Sequence, residues 1–136
     1  MPGIARLPDR AFVRAFQVID GVIQNNQPIF MAIWVGSIPL LAVTAVWGAV
    51  RLDGVPRVLL MVAAAVYILG LQLPTFLFNI RLNNALQMVD ADAADDATVN
   101  KARLVFERPW NRWNNVRSVM GLIASVLLLA VLLLVD

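Results

Sequence analysis

Three uninterrupted apolar stretches leave this chain few folds to choose from. Pro28 to Val50, Val58 to Ile80 and Val119 to Val135 each lack any charged side chain. A helix needs roughly 20 such residues, at about 1.5 Å each, to cross the hydrocarbon core of a bilayer. Val116 extends the third stretch toward that length. A water-soluble protein of 136 residues has too little remaining chain to cover three helices of this kind. The expected fold class is all-α: an integral membrane helical bundle with three transmembrane helices over 28–50, 58–80 and 116–135, in a single domain over 1–136.

Composition agrees and narrows the chemistry. Apolar residues make up 60% and charged residues 15%, against about 25% charged in a soluble domain. That excludes a disordered chain. With no cysteine and no histidine, disulfide scaffolds, zinc and Fe–S sites, and haem on His or Cys ligands are excluded too. A net charge of +2 gives no reason to expect nucleic acid as a partner. The lipid bilayer is the expected surroundings.

The residues before the first apolar stretch follow a different period. From Asp9 to Gln24, Phe12, Phe16, Ile19 and Ile23 recur at helical spacing, with Arg10, Arg14, Gln17 and Gln24 on the other side. This predicts an amphipathic helix over 9–24 with a basic face, suited to the membrane interface or to docking against the bundle. Asp9 can cap its start. Trp34 and Trp47 lie about 20 Å apart along the first span and suit the two interfacial belts. Pro39 and Pro74 lie within spans and are expected to kink them. Residues 81–115 read as a polar loop with one short helix from about Asp96 to Arg108, which Asp95 can cap. Pro109 then either starts a new helix or bends a continuous one.

Charge sets the orientation. Arg6, Arg10, Arg14, Arg81, Lys101, Arg103, Arg108, Arg112 and Arg117 fall on one side of a three-span chain, and Arg51 and Arg57 on the other. Basic residues stay cytoplasmic, so the N-terminal segment and the long loop are expected inside a bacterial inner membrane, with Asp136 outside.

Two polar stripes converge at the inner end. Gln72, Thr75, Asn79 and Asn83 share one face of the second span, while Arg81 points away and can snorkel. Trp110, Trp113, Asn114, Arg117 and Gly121 lie within about 60° of one direction on the third. Any one of these residues could simply glue or anchor helices. Together they surround a guanidinium entering the bilayer, where charge is costly, with amide acceptors beside it. No thiol, imidazole or carboxylate pair is at hand for triad, metal-water or glycosidase chemistry. Guanidinium, amides and indole faces suit a flat aromatic or quinone-like ligand entering from lipid. Tyr67 points away from the stripe and is expected to bond another helix.

The run Phe78-Asn79-Ile80-Arg81-Leu82-Asn83-Asn84-Ala85-Leu86, followed by Trp110-Asn111-Arg112-Trp113-Asn114-Asn115-Val116-Arg117, resembles the anthrone oxygenase-like membrane family. The start, Met1-Pro2-Gly3-Ile4-Ala5-Arg6-Leu7, is similar as well. Most bacterial members are uncharacterised. The resemblance implies a small helical membrane protein and, from a few fungal members, oxidation of an anthrone to an anthraquinone by O2 with no cofactor. Asn79, Asn83, Asn84, Trp113, Asn114 and Arg117 are the matching positions. Arg81 stands where the family often has proline. The family pattern also has a spanning helix ahead of the Met-Pro-Gly junction. Something is therefore expected to stand in its place: a partner subunit, a second copy of the chain, or residues upstream of Met1.

Two functions compete. The first is a cofactor-independent oxygenase acting on a planar lipid-soluble aromatic, with Arg117, Asn79 and Asn114 as catalytic candidates. Gln72, Asn83, Asn84, Trp110 and Trp113 would then bind substrate, with no metal involved. The stripes supply no general base. The second is a non-enzymatic accessory subunit of a larger complex, for which Ala42, Ala45, Ala49, Gly121 and Ser125 would allow close helix approach.

Overall fold

The computed structural model describes residues 1, 3–24 and 27–135; Asp136, expected outside, is not among them. The described residues form helices joined by turns, with no strand among them. Helix α1 covers Asp9–Gln24 and α2 covers Pro28–Arg51. Helix α3 runs without interruption over Gly54–Gln87, and α4 over Asp96–Val135. The last three are each long and apolar enough to cross a membrane.

Helix length decides the architecture. At about 1.5 Å per residue, α3 and α4 reach about 50 and 60 Å, far beyond a hydrocarbon core of about 30 Å. Their shared end must therefore project from the bilayer, and α1 packs on the projecting part. The result is a small head on a membrane stem. In the head, Phe12, Val13 and Phe16 of α1 meet Leu86, Ala91, Val99 and Phe106 in one buried cluster. Phe16 and Phe106 meet edge to face with centroids 4.5 Å apart.

This corrects the expectation for 81–115. Only residues 88–95 leave the helices; the rest is the continuation of α3 and the first half of α4. Pro109 lies inside a continuous 40-residue helix. The apolar stretches marked only the lipid-facing part of each helix. The polar extensions lack lipid-facing hydropathy but keep helical periodicity. Asp95 caps α4 as expected, its Oδ1 accepting the Thr98 N–H at 2.7 Å.

Asp9 is not a cap. Its carboxylate accepts from Asn100 Nδ2 at 2.7 Å and Arg103 Nη1 at 2.9 Å, tying α1 to α4. The basic face of α1 is likewise turned to protein. Arg10 donates to the carbonyls of Ala91 and Ala94 and to Asp96, and Arg14 pairs with Asp92. Gln17 donates to the Leu86 and Val89 carbonyls, each at 2.8 Å, at the open end of α3. Docking against the bundle thus describes α1, while Val18, Ile19, Val22 and Ile23 leave an apolar strip exposed on it.

The bond from Asn100, backed by Arg103 and opposed by partial desolvation, holds the Asp9 carboxyl below its ordinary value. A bond from the Thr98 side chain, backed by the Thr98 N–H, does the same for Asp95. Both carboxylates therefore stabilise the head fully above the ordinary aspartate value of about 3.9. That contribution is lost as pH falls through their lower folded values. Thermal stability of the wild type is expected to fall below about pH 4, and Asp9→Asn should flatten that dependence; an unchanged profile would rule out the Asp9 contacts as its source.

In the stem, small residues let the helices approach within the chain. A Cβ on Gly70 of α3 would sit 2.6 Å from Met120 Cγ of α4, and one on Gly121 would sit 2.8 Å from Leu71 Cδ1. Gly48 of α2 is filled in the same way by Leu60. The α2–α3 turn closes through Leu52 N–H donating to Gly48 O at 2.9 Å. It also uses Gly54 at φ +61°, which only glycine adopts freely.

Around Pro74, α3 widens into π-helical turns over Val66–Gln72 and Thr75–Asn79. Proline removes one N–H from the ladder, and i→i+5 bonding is a known accommodation, frequent at functional sites. Thr75 Oγ1 donates to Leu71 O at 2.6 Å beside it. Helix α2, in contrast, continues through Pro39.

Candidate functional site

The wide turns of α3 aim its polar stripe inward. Thr75 and Asn79 are 5% and 2% exposed, and both border a cavity of about 850 Å³ where the stem meets the head. That volume is ample for a fused-ring ligand. All four helices contribute to its wall, which is mostly apolar. Ile19 and Ile23 come from α1, Phe30, Met31 and Trp34 from α2, Leu71 and Ile80 from α3, and Gly121 from α4.

Three polar features face this apolar space. Arg117 of α4 borders it and is half-buried, its Nε donating to Asn114 Oδ1 at 3.1 Å. Asn79 borders it with neither side-chain atom hydrogen-bonded: Nδ2 and Oδ1 are buried and unpartnered. Buried polar atoms nearly always have partners, so an orphaned donor and acceptor on a cavity wall mark a place where a ligand can supply both. The third feature is Asp20 of α1, 5% exposed. Its Oδ1 accepts from Asn83 Nδ2 at 2.7 Å, and its Oδ2 from Gln24 Nε2 at 2.7 Å and Gln87 Nε2 at 3.0 Å.

The predicted site residues divide. Asn79, Asn83, Asn84, Trp110 and Arg117 all border the cavity. Trp110 donates from Nε1 to Asn83 Oδ1 at 2.7 Å, and Gln24 donates to Asn84 Oδ1 at 3.1 Å. Asn114 does not border it and serves Arg117. Trp113 is also turned away. It lies at the edge of its stripe, where it stacks on Phe78 of α3 with centroids 3.8 Å apart and planes 2° apart, and Arg112 lies over its ring.

Gln72 is buried one layer behind the wall. Its Oε1 accepts from Trp34 Nε1 at 3.0 Å and its Nε2 donates to Tyr67 Oη at 2.7 Å. Ser37 Oγ donates to Trp34 O at 2.6 Å, so the Tyr67 hydroxyl donates to Ser37. Tyr67 thus bonds α2, as expected, but it also bonds the stripe. Tyr67 and Gln72 are five residues apart, which straight α-helical geometry would separate and a π turn brings together. The ring fixes Trp34 on the cavity wall, between Phe30 and Phe76 at 6.1 and 5.3 Å. Trp34, expected in an interfacial belt, also borders this cavity. Trp47 is 65% exposed with Arg51 over its ring, as a belt residue would be.

Asn79→Leu offers a direct check of the orphaned amide. Replacing an unpaired buried polar group by an apolar one of similar shape is neutral or stabilising, so the melting temperature should hold or rise. Binding of a flat aromatic probe in the cavity, followed by indole fluorescence, should weaken by about tenfold or more, the effect of about 1–3 kcal/mol. A fall in melting temperature would mean that the amide is satisfied in the protein itself.

No group of three or more Asp or Glu side chains among the described residues is placed to hold a metal ion. A family model described as anthrone oxygenase matches residues 30–127, more than half of the chain and part or all of each long helix. No curated protein and no solved structure matches it.

Proposed function

The chain belongs to the anthrone oxygenase family, and from that premise we propose that it binds a planar, lipid-soluble phenolic aromatic in the 850 Å³ cavity and oxidises it with O2. The observation that carries the reading is that Arg117 and the unpartnered Asn79 amide border the same, mostly apolar cavity. An anthrone carries a ketone oxygen between two aromatic rings. Loss of a methylene proton moves charge onto that oxygen, and the resulting electron-rich enolate reacts with O2. A guanidinium and an amide N–H placed before the reaction favour that enolate most strongly in a water-poor site. Trp34 and Trp110 offer flat faces to the rings. The net reaction is anthrone plus O2 to anthraquinone plus water.

Basic side chains favour an arrangement with the head and this cavity at the cytoplasmic face of a bacterial inner membrane. Arg10, Arg14 and Arg103 are partly neutralised by Asp96, Asp92, Asp9 and Glu107, so Arg81, Arg108 and Arg112 carry more of that bias. Substrate would enter sideways from the inner leaflet.

The test is O2 uptake. The full chain in lipid nanodiscs, given 1,8-dihydroxyanthrone, should consume O2 and form anthraquinone absorbance well above autoxidation. A rate equal to that in empty nanodiscs would overturn the oxidation reading.

A further inference from the structure

We infer that Asp20 is the catalytic base of this site, held for that role by a Trp110–Asn83 relay; the inference rests on the oxidation reading above. The oxidation needs a proton acceptor, and neither stripe on the spanning helices contains one. The cavity wall holds a single carboxylate among the described residues, and it comes from α1. Asp20 stands four residues beyond Phe16 on the buried face, at a position where packing alone would call for an apolar side chain.

Its surroundings are those of a working group and not of a structural ion pair. Among the described residues its three hydrogen bonds come from neutral amides, and it belongs to no salt bridge. Of the charged groups that border the same cavity, Arg117 bonds Asn114 and the Met1 ammonium bonds Asn111 Oδ1 at 2.7 Å. The α3 groups that bond Asp20 are the Asn83 and Gln87 amides. Each carboxylate oxygen can accept about two bonds. Among the described residues Oδ2 has two and Oδ1 has one, which leaves Oδ1 an acceptor position for the substrate proton. The orientation of Asn83 is not arbitrary, because Trp110 Nε1 can only donate. It takes Asn83 Oδ1, and this forces Asn83 Nδ2 toward Asp20. Asn83 and Trp110 are thus positioning residues.

The step balances as follows. The methylene C–H bond breaks, its proton goes to Asp20 Oδ1, and its electron pair moves into the ring system toward the ketone oxygen at Arg117. O2 adds to the carbanion to form a peroxide anion, which takes the proton back from Asp20. Loss of water from the hydroperoxide leaves the second carbonyl.

Asp20→Asn and Asp20→Glu, in the full chain in nanodiscs, separate this from a structural role. Binding of 1,8-dihydroxyanthraquinone serves as the folding control. Asp20→Asn is expected to bind it normally while losing at least about 100-fold in kcat at neutral pH. The deficit should shrink as pH rises to where the anthrone ionises by itself, and Asp20→Glu should recover part of the rate. An Asp20→Asn variant as fast as the wild type, or a deficit that stays constant with pH, overturns the base. Lost binding in both variants also overturns it, in favour of a structural Asp20. A wild type that binds the anthraquinone but consumes no O2 instead overturns the oxidation reading on which the base depends.

Discussion

Replacing Arg117 by glutamine is expected to lower kcat for anthrone-dependent O2 uptake by about 100–1,000-fold, the usual loss when one preorganised donor to a developing oxyanion is removed. Arg117 is the one cationic side chain on the cavity wall among the described residues. In the proposed reaction its charge meets the substrate oxygen only as the enolate forms, so KM should change far less than kcat. Stability should hold or rise, because a guanidinium at the bilayer edge is costly to keep. Arg117→Lys should recover only part of the rate, since lysine cannot donate to Asn114 and to a ligand with the same planar fork. Steady-state O2 uptake at saturating anthrone, with melting temperature in parallel, reads all three quantities. A glutamine variant that keeps kcat and loses stability would make Arg117 a helix anchor.

The second large effect is structural. Phe12 is fully buried in the head, edge-on to Phe106 at 6.3 Å and beneath the Arg103 guanidinium at 4.4 Å. Phe12→Ala is expected to destabilise the docking of α1 by about 3–5 kcal/mol, combining lost transfer energy with an unfilled cavity. Since α1 carries Asp20 and one wall of the cavity, ligand binding should fall with it. Hydrogen exchange should show protection lost in α1 and in 88–95 first, with the apolar stem unchanged. Uniform loss of protection along all four helices would mean that head and stem unfold as one unit.

Several of the expected residues border the cavity because two of its walls, on α3 and α4, are regular helical faces. Asn79, Asn83, Trp110 and Arg117 are at helical spacing, and that spacing survives in the structure. Gln72 and Trp113 do not border the cavity, for local reasons. Trp113 is 60° from Trp110 around an ideal helix, at the edge of its stripe, and Phe78 captures it. Gln72 is on the predicted face, but the π turn gives it Tyr67 as a partner and Trp34 as cargo. Asp20 carries a sequence signal of its own: an acid aligned with Phe12 and Phe16 on the apolar face of an amphipathic helix. Trp34 gave no such signal, because a tryptophan near the end of a span fits an interfacial belt equally well.

The sequence by itself determined what hydropathy and period can encode. It fixed three spans, an amphipathic α1, the capping Asp95 and the shared level of two polar stripes, since each depends on residues near one another along the chain. Tertiary structure decided the rest. Polar helix extensions carry no lipid-facing pattern, so only the packed core of Phe12, Phe16, Leu86, Val99 and Phe106 reveals that α3 and α4 project as a head. The pairing of Asp20 with Asn83 spans 63 residues of chain, and no periodicity links positions so far apart. The cavity exists because α1 docks where it does, bringing a carboxylate to the same apolar space as a guanidinium and an unpartnered amide.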